Sequence, residues 1–155
     1  MQVCTTPTAT PISPALTVRY HIADHSAVWP DIAPGLEELH AAHAEQDWSP
    51  LSVRQMLDDD MAVLLVDDDD PTAFAVVFFG PYPYNIDHTE LNVFLVWHKG
   101  GNAIEKFQPH LEVFARLGGA KYMRFYSRRA AFLRVAQRAG YELRGIEYVK
   151  ELQHG

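Results

Sequence analysis

Apolar positions along this chain switch between two periods, and the switches mark its elements. Leu16 to Ala23 (LTVRYHIA) alternates apolar and polar residues, which predicts a first strand. From Trp29 to His43 the apolar residues Ile32, Leu36, Leu39 and Ala42 recur at helical spacing, with Asp31 as a start cap and Pro34 in the first turn. Ser49-Pro50 opens a second helix with Leu51, Val53, Met56 and Leu57 inward, and Asp58-Asp59-Asp60 ends it. Met61 to Val66 (MAVLLV) is almost wholly apolar and bounded by charge, the mark of a buried strand. Thr72 to Gly80 (TAFAVVFFG) is its partner, so the two form a hairpin across Asp67 to Asp70 and Pro71. Four adjacent aspartates suit a solvated turn, because hard-cation loops place their ligands at alternating positions. Pro81 and Pro83 then make the chain leave the ladder or bulge.

The second half is organised around Thr89 to Gly119. Leu91 to Trp97 reads as a strand, Gly100 and Gly101 as a short loop, and the rest as a helix. A helix start that follows a glycine turn gathers free backbone N–H groups and the positive end of the helix dipole, a geometry that can hold a phosphate. Pro109 removes one helical hydrogen bond, so the helix either kinks there or begins only at Gln108. Ala120 to Tyr126 predicts a further strand, and Ser127 caps a helix from Arg128 to Ala139 with Ala131, Phe132, Val135 and Ala139 inward. Gly140 ends that helix, and Tyr141 to Leu152 closes the fold with one or two strands around Gly145. Residues 1–15, rich in Thr and Pro, predict a flexible arm ahead of a single mixed α/β domain over 16–155. That arm is also a candidate contact with a partner subunit.

Composition narrows the functions. The formal net charge of −7 over 155 residues argues against a nucleic-acid partner, which Lys and Arg would have to hold. The C-terminal part is nevertheless basic, with Arg116, Lys121, Arg124, Arg128, Arg129, Arg134 and Arg138 close together, which suits either an anionic small molecule or a solvated helix face. No apolar run is long enough to span a bilayer, and no signal peptide precedes the domain, so a membrane role is not expected. The single cysteine, Cys4, excludes an internal disulfide and fits a cytoplasmic setting.

The order strand, two helices, hairpin, strand, helix, strand, helix and terminal strands resembles the GNAT superfamily, the acetyl-CoA-dependent N-acyltransferases. Val93 to Leu117 is similar to that family's cofactor strand, pyrophosphate loop and helix. RAAFLRVAQRAGYELRGIEYVKEL, from Arg129 to Leu152, is similar to its last helix, Gly-aromatic ending (Gly140-Tyr141) and closing strands. The resemblance implies a mostly antiparallel mixed central sheet flanked by about four helices, and acetyl-CoA or another acyl-CoA as cofactor. The family's loop pattern of Arg or Gln, two residues, Gly, one residue, then Gly or Ala falls on His98 to Ala103, with His98 at the basic position. The implied cofactor residues are Val96, Trp97, His98, Lys99, Gly100, Gly101, Asn102 and Ala103.

The resemblance also implies a base near the start of the cofactor strand, because an ammonium must lose a proton before its nitrogen attacks a thioester. Glu90 holds that place with His88 and Asp87 beside it, and histidine titrates near neutral pH. The family's thiolate-protonating Tyr would fall at Ala136, which can transfer no proton, so Tyr126 and Ser127 are the substitutes on offer. Phe74, Phe78, Phe79, Tyr82, Tyr84 and Trp97 either line an acceptor pocket or fill the core. The expected acceptor is a primary amine on a small molecule or protein. The alternative is a catalytically degenerate binding or structural protein on the same fold. This chain is similar to the compact, divergent GNAT-like proteins of phage genomes, some of them virion components.

Overall fold

The computed structural model describes residues 19–43, 47–127 and 132–153. The 1–15 arm therefore lies outside the described residues. In chain order the elements are β1 (Tyr20–Ile22), α1 (His25–Ala42), α2 (Pro50–Asp58), β2 (Val63–Asp67), β3 (Phe74–Tyr82), β4 (Asn85–Trp97), α3 (Ala103–Leu117), β5 (Ala120–Arg124) and α4 (Phe132–Arg138). The strands lie in the order β1-β2-β3-β4-β5. Neighbours are antiparallel except β4 and β5, which are parallel and joined by the α3 crossover. This is the mixed α/β architecture expected from the sequence, a mostly antiparallel sheet with helices on both faces.

Alternation along the strands divides the core into two layers. Leu64, Val66, Phe74 and Val76 pack on one face against Ile32 and Leu36 of α1 and Val53 and Leu57 of α2. Leu65, Ala75, Val77, Leu91 and Val93 pack on the other against Phe107, Leu111 and Ala115 of α3. Each large apolar side chain buried this way contributes ~1.5–3 kcal/mol.

Helix starts follow capping chemistry. Ser49 and Ser52 exchange side-chain and backbone hydrogen bonds in a capping box that opens α2 at Pro50, as the sequence predicts. α1 begins earlier than expected: Asp24, not Asp31, caps it through the N–H of Ser26 at 3.0 Å. Pro30 and Pro34 are carried inside α1, where each forgoes one helical hydrogen bond. Burial of Ile32 and Leu36 on the sheet offsets that loss, a case of tertiary packing overriding local propensity. Gly35 allows the approach, since a Cβ there would lie 2.7 Å from the Trp97 ring.

Two strand expectations need correction. β3 and β4 run further than predicted, to Tyr82 and from Asn85, with Pro81 inside the ladder and the register shifting between Pro81 and Tyr82. The predicted strands of Tyr141 to Leu152 do not form: the segment joins no ladder, and Leu143, Ile146, Tyr148, Val149 and Leu152 are exposed. Strand-forming side chains need a paired neighbour as well as a pattern, and this stretch has none within the described chain.

Candidate functional site

β4 changes character halfway along its length. Opposite β3, Val76 pairs with Leu95 but Val77 pairs with Val93, so Phe94 is an extra residue, a β-bulge. Opposite β5, pairing runs from Thr89–Ala120 to Asn92–Arg124 and stops there. From Val93 to Trp97 β4 stays paired with β3 but no longer with β5, and the chain after Arg124 leaves the sheet. Past Asn92 that edge of β4 has no strand neighbour among the described residues.

That edge leads into the glycine loop. Gly100, Gly101 and Asn102 have φ values of 93°, 83° and 58°, three successive left-handed residues. A Cβ on Gly100 or Gly101 would meet nothing within 4 Å, so both backbones face open space. α3 begins at Ala103, immediately after the loop, and runs through Pro109 to Leu117. The alternative start at Gln108 is thereby corrected, because Pro109 is held by the burial of Phe107, Gln108 and Leu111 around it. Asn102 is the N-cap and makes no side-chain cap bond. The leading amides of α3 thus have no side-chain acceptor from their own cap, at the positive end of a fifteen-residue helix.

Side chains around the loop form a charged network. Lys106 Nζ lies 2.8 Å from His98 Nε2 and 3.3 Å from an Asp67 carboxylate oxygen. An ammonium only donates, so His98 Nε2 accepts, and His98 Nδ1–H donates to the Gly101 carbonyl at 3.2 Å. His98 thereby ties the loop carbonyl of Gly101 to Lys106, with Asp70 3.8 Å away. The aspartate run folds as the expected turn: Asp70 accepts from Thr72 N–H at 3.0 Å and Thr72 Oγ1 at 2.6 Å. The Thr72 hydroxyl bond is the largest of the effects that hold the Asp70 carboxyl below its ordinary range. Of the other cofactor candidates, Trp97 stacks on Phe74 (6.3 Å between centroids) and Val96 packs toward α3.

The paired half of β4 carries the candidate chemistry. Leu91 and Met123 pack toward α3, so Glu90, Asn92, Tyr122 and Arg124 emerge on the opposite face. Glu90 is 2% exposed and held by Arg124 through Nε at 2.9 Å and a terminal guanidinium nitrogen at 2.7 Å. Both of its oxygens are occupied. The hydrogen bond to Glu90 is the main reason the Arg124 guanidinium is pushed further toward its charged form. His88 lies one ladder step away, 3.4 Å from Lys121 Nζ and edge-on to the Tyr122 ring. Tyr122 stacks on Tyr82 at 4.1 Å, and Arg144 donates to the Tyr82 hydroxyl at 3.1 Å. Glu90 and His88 are therefore brought to one patch. Tyr126 is half exposed beyond the end of β5, and with Ser127 and Ala136 lines a cavity of about 1550 Å3 beside the C-terminal segment.

Arg124, Tyr122 and Arg144 were missed by sequence reasoning. A Glu and an Arg 34 residues apart carry no local signal of pairing; only the parallel register of β4 and β5 places them together. Of the aromatic residues weighed between pocket and core, Phe74 is core, Tyr82 is buried against Tyr122, and Tyr84 is exposed.

No family model matches the chain, and no curated protein matches it by sequence. Solved structures match by shape. A probable acetyltransferase aligns with a TM-score of 0.65 at 10% identity, over 88% of this chain and 99% of that one. A ribosomal-protein-alanine N-acetyltransferase from Brucella melitensis biovar Abortus 2308 aligns at 0.62 and 15% identity, over 86% and 99%. A predicted acetyltransferase from Clostridium acetobutylicum, solved with acetyl-CoA, aligns at 0.59 and 13% identity, over 86% and 94%. At such identities the likeness establishes the fold, and the chain has the GNAT fold.

Proposed function

We propose that the protein is an acyl-CoA-dependent N-acyltransferase that uses acetyl-CoA to acylate a primary amine of a small molecule or a protein. One observation carries this reading: the lone edge of β4 from Val93 to Trp97 runs into three left-handed residues and a helix start with no side-chain cap. An extended amide-bearing arm suits that edge, and a pyrophosphate suits the leading amides of α3 from Ala103 on, the Gly101 N–H being already given to the His98 carbonyl at 3.1 Å. The open space at Gly100 and Gly101 leaves room for close backbone approach, so the residues present fit the cofactor. The acetyl-CoA bound in the Clostridium acetobutylicum structure supports the same assignment.

The cofactor would supply a thioester whose carbonyl carbon the acceptor nitrogen attacks, releasing the thiolate. This chain's part is to orient the acceptor and move its proton. His88 is the proton acceptor in this reading, since both oxygens of Glu90 already accept from Arg124. Glu90 with Arg124 acts as a fixed polar anchor beside it. Tyr126, beyond the end of β5, is the one phenol among the candidates for returning a proton to the thiolate.

A second reading is favoured by Ala136 and by the capture of Glu90: a GNAT-fold binding or structural protein without turnover, a virion component among the possibilities. Calorimetry with acetyl-CoA tests the first step. Micromolar to millimolar binding that weakens on Gly101→Val supports the cofactor site, and no heat at millimolar cofactor overturns it. Turnover over an amine panel, lost on His88→Ala with binding intact, separates enzyme from binding module.

A further inference from the structure

The patch on the paired half of β4 already holds a primary amine of its own. Lys121 Nζ lies 3.4 Å from His88 Nε2, and an ammonium only donates, so the imidazole nitrogen accepts from it. The same ammonium sits 5.7 Å from the centroid of the Tyr122 ring, which His88 meets edge-on at 6.0 Å. Lys121 is exposed, and among the described residues it has no carboxylate partner. An imidazole and a ring therefore hold its side chain, and no acid neutralises it.

The other lysines stand differently. Lys106 also reaches a histidine, but Asp67 pairs with it and it lies at the glycine loop, away from the patch. Lys99 and Lys150 are exposed, and neither has a histidine partner among the described residues. A general base must lie within hydrogen-bond reach of the proton it takes. With His88 as that base, the acceptor nitrogen has to sit against His88, and Lys121 Nζ occupies that place.

We propose that Lys121 is an acylation site of this chain, its Nζ taking the acyl group from the bound acyl-CoA thioester. The inference rests on the acyl-CoA reading of the β4 edge and names an acceptor for it. His88 Nε2 takes one proton from the Lys121 ammonium, and the freed lone pair forms an N–C bond at the thioester carbonyl carbon. The C–S bond breaks with its electron pair on sulfur. The second proton of the nitrogen goes to the thiolate, and the imidazolium returns its own to water. Residue 121 lies three positions before the end of the ladder at Arg124, roughly 10 Å along β5. The flexible four-carbon stem of lysine and the extended arm of the cofactor span that distance together. The product amide is neutral, so acylation removes the ammonium that occupies His88 and opens the imidazole to a free acceptor.

Mass spectrometry of the full chain and its peptides after incubation with acetyl-CoA, beside calorimetry of acetyl-CoA binding, tests it. Lys99 and Lys150 serve as internal standards for the slow, unassisted reaction of exposed lysines with a thioester. The expected result is an acetyl group on Lys121, added about tenfold or more faster than on either standard. His88→Ala slows that labelling about tenfold or more with acetyl-CoA binding intact, and Lys121→Arg keeps the positive charge and abolishes it. Labelling of Lys121 no faster than of Lys99 and Lys150, with acetyl-CoA bound, overturns this proposal alone. Labelling of Lys121 unchanged by His88→Ala overturns it as well. An absence of acetyl-CoA binding overturns it together with the reading on which it rests.

Discussion

The two halves of β4 put one strand to opposite uses. From Val93 to Trp97 it is core: Leu95 is buried, Trp97 stacks on Phe74, and α1 presses Gly35 against the indole. From Asn85 to Asn92 it is polar on one face, where Glu90, His88, Tyr122 and Arg124 form a charged and aromatic patch against β5. The bulge at Phe94 stands between the two. Rigid packing on one half and paired charge on the other let a single element carry the proposed cofactor edge and the Glu90–His88 patch a few residues apart.

Replacing Phe74 with Ala should have the largest effect. Phe74 is fully buried and carries Trp97, so the loss should be ~3–5 kcal/mol of unfolding free energy in urea titration. If the cost were under a third of that, the Val93 to Trp97 half would not be the rigid member of the pair. Arg124→Ala probes the other half by leaving the Glu90 carboxylate buried without its partner. Because Arg124 is itself half exposed, we expect about 2–3 kcal/mol, below the ~3–5 of a fully buried pair. The double change Glu90→Gln with Arg124→Met should recover most of it, and failure to do so would mean that Arg124 acts mainly through packing.

Tyr141 ties the C-terminal segment to α3, and burial is the main cause that pushes its phenol from 10.0 up to about 12. The folded chain holds this proton more tightly than the unfolded one. Its contribution is therefore complete below pH ~10 and is lost as pH rises through 12, about 2–3 kcal/mol in all. Alkaline denaturation followed by fluorescence should show this slope in the parent and lose it in Tyr141→Phe. The smallest stability effect is expected at Gly101→Ala, about 1 kcal/mol for a side chain at φ 83°. Its acetyl-CoA affinity should fall by more than its stability does. Equal affinity for the cofactor would detach the loop from the proposed site.

Where patterns were local, they were legible. The capping Ser49 with Pro50, the apolar run MAVLLV, the aspartate turn and the Gly100-Gly101 loop each appear where residue chemistry puts them. The start of α1 was misplaced because its two prolines argue against a helix that packing then enforces. The strands expected from Tyr141 to Leu152 were misread because a strand pattern says nothing about whether a ladder neighbour exists.

By itself, then, the sequence determined the alternation of elements, the face each strand buries and the position of the glycine turn. These depend on side-chain period, capping and backbone freedom, which act over a few residues. Only the tertiary structure decided that Glu90 meets Arg124, that Lys106 meets His98, and that β4 and β5 part after Asn92. Those contacts join residues distant in the chain through strand register and helix placement, and no local rule carries that information.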